Sequence, residues 1–132
     1  MKRSTFFVLR AVIALAYAVP ALIVPGWLLP LYGIDAEPGA LLMARFVGVG
    51  LLAVGLLLLF ARNLEHQPTL RIIMGSFLAA ELVGMGVAIV GTLAGPFNAL
   101  GWTIVLIYGS MSLGYAYFLL AKGETAQLAA AD

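Results

Sequence analysis

Residues 69–93 read TLRIIMGSFLAAELVGMGVAIVGTL. After Arg71 near its start, the only ionisable residue in this apolar run is Glu81, close to its middle. At a rise of ~1.5 Å per residue, Glu81 lies roughly 17 Å from Leu70 and from Leu93, near the midplane of a bilayer that the segment spans. A carboxylate at that depth costs ~2.5–3.5 kcal/mol on insertion scales. Glu81 is therefore expected to face protein or water and to have a partner.

The rest of the chain has the same character. Of 132 residues, 64% are hydrophobic and 10% charged, against about 25% charged in soluble domains. The mean hydropathy is +1.10. This predicts an integral membrane protein of one domain, with no room for a separate soluble catalytic domain. Cysteine is absent, which excludes disulfides, thiolate metal sites and thiol redox chemistry. The single histidine, His66, stands in a polar stretch, so a bis-histidine haem or a histidine-rich metal site within one chain is excluded. A net charge of +1 without a basic tract gives no reason to expect nucleic acid as a partner.

Working outward, four apolar spans are expected at residues 5–24, 39–61, 69–93 and 99–121, each close to the ~20 residues that cross a hydrocarbon core. The basic start, Met1-Lys2-Arg3, and Ala16-Tyr17-Ala18 have the look of a signal peptide and its cleavage site. Arg10 interrupts the apolar run, however, and hydrophobicity continues to Leu31, so the first span is expected to be retained. Pro20 is expected to kink that span by removing a backbone donor, and Pro25-Gly26 to end it. Residues 26–32, with Trp27 and Tyr32 near their ends, suit a short interfacial segment. Pro38 after Glu37 is a good helix start, and Gly95-Pro96 breaks the chain before the last span. Residues 122–132 read as a polar, Ala-rich tail. These features predict an all-α fold, an antiparallel four-helix transmembrane bundle. The alternating ten-residue segments of a β-barrel are absent.

Lys2, Arg3, Arg62, Arg71 and Lys122 flank the two termini and the second loop, whereas the first and third loops have neither Lys nor Arg. The positive-inside rule then puts both termini and the second loop in the cytoplasm, with a bacterial cytoplasmic (inner) membrane as the expected location.

Arg45 is the favoured partner for Glu81. It lies roughly 10 Å below the start of the second span, on one helical face with Gly48, Leu52 and Gly55. Arg10 is the alternative, but it lies nearer the interface and can snorkel. Tyr108 and Ser112 on the fourth span fall at about mid-depth, and Tyr17 on the first lies near the same level. The expected intramembrane polar cluster is thus Arg45, Glu81, Tyr108 and Ser112, with Tyr17. Such a cluster can simply fix helix register. It can also bind a proton or a polar headgroup, or contact another subunit.

Ser76, Ala80, Gly84 and Ala88 recur every four residues beside Glu81, with Gly48 in a shorter stripe on the second span. Small faces of this kind let helices approach closely in lipid, within one bundle or between copies. Trp27, Tyr32, Phe97, Trp102, Tyr115 and Tyr117 gather towards span ends, as an interfacial belt does. Gly48-Val49-Gly50 and Gly84-Met85-Gly86 lie inside apolar spans with no preceding strand and are not dinucleotide fingerprints. No catalytic triad, intramembrane carboxylate pair or phosphate-binding loop is present, so no enzyme activity is expected.

The proline-rich end of the first span with Leu31-Tyr32-Gly33, the Ala44-Arg45-Phe46-Val47-Gly48 run and the late Leu113-Gly114-Tyr115-Ala116-Tyr117-Phe118 resemble the small four-helix bacterial membrane proteins grouped as DoxX-like. The resemblance covers nearly the whole chain. DoxX is linked to a thiosulfate:quinone oxidoreductase as a membrane subunit, so the resemblance implies an accessory role in a quinone-linked complex. No thiol or metal ligand here supports redox chemistry by this chain alone.

The leading functional expectation is a non-catalytic structural or accessory subunit of a larger membrane assembly. Its partners would be the lipid bilayer and other membrane subunits or further copies of itself, with no metal or cofactor required. One alternative is a small oligomeric transporter or channel using Glu81 with Arg45. Another is a subunit that binds a quinone, a pigment or a lipid.

Overall fold

The computed structural model describes the backbone of residues 2–128 and the side chains of residues 2–120. Among the described residues every regular element is a helix: α1 (Arg3–Ile23), α2 (Pro25–Leu31), α3 (Pro38–Ala61), α4 (Gln67–Ala94) and α5 (Gly101–Leu128). Four of these, α1, α3, α4 and α5, are long and apolar enough to cross a membrane. The tail expected at 122–132 is helical as far as Leu128. Residues 129–132 and the side chain of Lys122 lie outside what is described.

Local chemistry sets the helix ends. Pro38 opens α3 and Pro25 opens α2, positions where proline sacrifices no intrahelical bond. His66 caps α4 through Nδ1, which accepts from the Thr69 backbone N–H at 3.4 Å and meets Thr69 Oγ1 at 2.7 Å. Gly95 ends α4 with φ of +114°, a left-handed residue that glycine adopts without steric cost. Helix α1 runs on through Pro20 and ends three residues later, Val24 N–H donating to the Pro20 carbonyl at 2.9 Å.

The long helices associate as two pairs, α1 with α3 and α4 with α5. Glycine sets the closeness of each. A Cβ on Gly55 would lie 2.7 Å from Leu15 Cγ, and one on Gly48 would lie 2.8 Å from Leu22 Cγ. Across the other pair, a Cβ on Gly84 would lie 2.8 Å from the Tyr108 ring. Backbones come this near only where no side chain intervenes.

The pairs are joined at both ends. At one end Phe6 of α1 packs edge-on against Tyr115 of α5, ring centroids 4.9 Å apart, and against Phe118 at 5.4 Å. Leu58, Leu70 and Met74 complete this core, and Arg3 Nη2 donates to the Leu64 carbonyl at 2.7 Å. At the other end Asn98 donates from its backbone N–H to the Tyr32 carbonyl at 2.8 Å and from Nδ2 to the Leu31 carbonyl at 2.9 Å. Between these clamps α3 and α5 make no substantial contact. Tyr115, expected in an interfacial belt, is fully buried, stacked on Phe77 at 5.7 Å. Trp27, Trp102 and Tyr117 are exposed.

Candidate functional site

Glu81 is buried, 2% exposed, and its partner is Arg10, 5% exposed. Arg10 Nε donates to Glu81 Oε1 at 2.7 Å. Helix α1 delivers Arg10 to this position because its buried face, bulky at Phe6 and Phe7, is built from small side chains beyond Arg10. Ala11, Ala14, Ala18 and Ala21 are all buried, and at about 100° per residue Arg10 falls within the same stripe as Ala14 and Ala21. Alanines let neighbouring helices close on α1, and Arg10 is the one long side chain in that stretch. Its guanidinium reaches α4 where α4 presents Glu81. Glu81 Oε2 on α4 and Ser112 Oγ and Tyr115 Oη on α5 are buried and have no hydrogen-bond partner among the described residues.

The favoured pairing of Glu81 with Arg45 is thus corrected. Arg45 is exposed and makes no ion pair with a described residue. The buried stripe of α3 is Ala44, Gly48, Gly55, Leu58 and Ala61, and Arg45 lies roughly a quarter turn from its centre. Gly48 and Gly55 do face the neighbouring helix as expected, but that helix is α1, and α3 has no substantial contact with α4.

The remaining expected residues divide between two places. Tyr108 stands against Gly84 and lines a chamber with Arg10. Ser112 is buried on α5. Tyr17 does not join the ion pair. Its hydroxyl meets that of Tyr32 at 2.9 Å, at the α2 end of the molecule. The small face of α4 also splits: Ala88 is buried and Gly84 is packed under Tyr108, whereas Ser76 and Ala80 are exposed.

The gap between α3 and α5 is a crevice with α1 as its floor. Its inner chamber, about 150 Å³, is lined by Arg10, Ile13, Ala14, Tyr17 and Tyr108, with Leu51 and Ile107 on its walls. The outer chamber, about 360 Å³, lies under α2 and is lined by Leu28, Leu29, Tyr32, Met43 and Phe97. Tyr17, Val47, Leu51 and Ile104 line both chambers, so the two adjoin, with Tyr17 and its hydrogen bond to Tyr32 beside their shared wall. Val47 and Met43 are 60% and 59% exposed, which puts the mouth along α3, towards the surface that lipid would cover. Among the described residues, Arg10 is the only charged one lining either chamber. The arrangement can therefore accept an elongated apolar molecule with a polar group at the Arg10 end. Small-molecule sites are typically such apolar concavities with few polar groups.

No three His, Asp or Glu side chains gather as a metal site among the described residues. Position in sequence alone concealed the crevice, because it exists only where two helix pairs fail to close. The chain matches no protein-family model, no curated protein and no solved structure.

Proposed function

We propose that this protein is a non-catalytic membrane subunit that holds a lipophilic molecule in the crevice between α3 and α5. The observation that carries the reading is the pair of adjoining apolar chambers, the inner one lined by a buried arginine. The protein would lie in a bacterial cytoplasmic membrane as an antiparallel bundle, with both termini and the α3–α4 loop in the cytoplasm. The basic residues Lys2, Arg3, Arg62 and Arg71 support that orientation. So does the hydrogen bond from Arg3 to Leu64, which keeps the N-terminus beside the α3–α4 loop.

Native mass spectrometry of protein extracted gently from its own membranes tests the reading. The expected result is a bound small molecule that is lost in Leu51→Trp, a variant that fills the junction of the two chambers. A clean wild-type mass, with the crevice equally indifferent to added lipid, would refute it. A second reading, an accessory subunit within a larger assembly, is favoured by exposed Arg45 on α3 and by exposed Ser76 and Ala80 on α4. It predicts a heteromeric mass in the same experiment.

A further inference from the structure

Arginine carries five N–H donors. The Arg10 guanidinium, almost wholly buried, makes one hydrogen bond among the described residues, through Nε to Glu81. Its terminal nitrogens are not among the fully buried atoms left without a partner, and the accessible space that Arg10 lines is the inner chamber. A guanidinium N–H that faces an apolar chamber gains from a hydrogen-bond acceptor there, so an occupant of that chamber is selected for an acceptor atom at its inner end. Charge narrows the class further. Glu81 already balances Arg10, and no other charged residue among those described lines the crevice. An anionic head would bring an uncompensated charge into an apolar space, where it is strongly disfavoured. A neutral acceptor brings none.

Size gives the direction. The chamber at Arg10 is the smaller of the two and the space widens towards α2 and the mouth at Met43 and Val47. A compact head fits inward and a chain outward. Along the floor, Arg10 to Ala21 covers roughly 17 Å of helix, which is acyl-chain length.

Building on the crevice reading above, we propose that the inner chamber takes the carbonyl oxygen of an uncharged lipid. Arg10 donates to that oxygen, Tyr108 stands beside it, and the tail leaves between α3 and α5. An ester-linked lipid and a quinone share this chemistry.

A matched series of probes tests it: methyl laurate, laurate and dodecane, which share a chain length and differ at the head. Each is titrated into the full-length protein in micelles at pH 8, with binding read by native mass spectrometry. Methyl laurate is expected to bind about tenfold or more tighter than either of the others, the margin of a hydrogen bond to a charged donor. With a ¹³C-labelled ester, the carbonyl stretch is expected to move to lower wavenumber on binding. In the double variant Arg10→Met/Glu81→Leu, which removes the donors without unbalancing charge, methyl laurate and dodecane are expected to bind alike. The wild-type ranking and the infrared shift decide the matter even if that variant does not fold.

Laurate binding as tightly as the ester would overturn the uncharged head while leaving the crevice as a binding site. Dodecane binding as tightly would overturn the docking on Arg10. If none of the three binds, the crevice reading itself falls. Co-purification of a neutral glycerolipid or of a quinone, told apart by mass and ultraviolet absorption, supports the proposal. A bound anionic lipid refutes it.

Discussion

Replacing Glu81 by alanine removes the carboxylate that meets Arg10 at 2.7 Å and leaves a guanidinium in a site with almost no solvent contact. Two unit charges about 4 Å apart interact by ~4 kcal/mol at an effective dielectric constant of 20. Removing one member of a buried pair costs ~3–5 kcal/mol, because the charge left behind is uncompensated. Glu81→Ala is therefore expected to lose ~3–5 kcal/mol of bundle stability, and Arg10→Met a similar amount. Arg10→Met/Glu81→Leu should behave differently. It removes both charges, replaces them with apolar volume and is expected to remain within ~1–2 kcal/mol of wild type. The assay is equilibrium unfolding by dodecyl sulfate in mixed micelles, followed by circular dichroism and tryptophan fluorescence. The diagnostic quantity is non-additivity: the single losses must sum to well above the loss in the double variant. Losses below ~1 kcal/mol in each single variant, or losses that simply add, would refute the buried pair.

Arg45→Leu separates the two arginines. Arg45 is exposed on α3, so its replacement is expected to leave stability unchanged or raise it, since arginine within a span is disfavoured by ~2.5–3.5 kcal/mol at the helix centre. A loss of several kcal/mol in the same unfolding assay would count against its exposure. Gly114→Leu should destabilise by ~1–3 kcal/mol, because a Cβ at that position runs into the Phe6 ring. A melting temperature equal to wild type would show that the aromatic core yields there. The absence of cysteine makes orientation simple to measure. Cysteine placed at Glu65 should react with an impermeant maleimide only after the inner face is exposed, and cysteine placed at Asp35 should react in intact cells. The opposite pattern would invert the proposed topology.

The four long helices were legible because each lies in an apolar run of membrane-crossing length bounded by Pro, Gly or charge. Pro25, Pro38 and Gly95 mark real boundaries. The burial of Glu81 was legible for a similar reason, since a lone carboxylate in such a run has few tolerable surroundings. Its partner was not. Depth along a span is readable from residue counts, but which helices meet is decided by surface shape. Arg45 and Arg10 both lay within arm's length in depth. The choice was made by α3 closing on α1 through Gly48 and Gly55, which turned Arg45 outward. The signal that pointed to Arg10 was the run of Ala11, Ala14, Ala18 and Ala21, a small face with one long charged residue on it. Tyr115 misled for a comparable reason. It stands near the end of a span, yet the α1–α5 contact through Phe6 turns that end into core.

The separation of Arg10 from Glu81 by 71 residues also bears on how the protein is made. At synthesis rates of ~5–20 residues per second, Glu81 emerges about 4–14 s after Arg10. During that interval Arg10 is without the Glu81 carboxylate, and the cheapest place for its charge is the headgroup region, where a long side chain can reach water. The first helix is thus expected to lie shallow until the third long helix arrives. Arrival of α4 would then be the step that commits α1 to its final depth, a timing set by the distance between two residues in the chain.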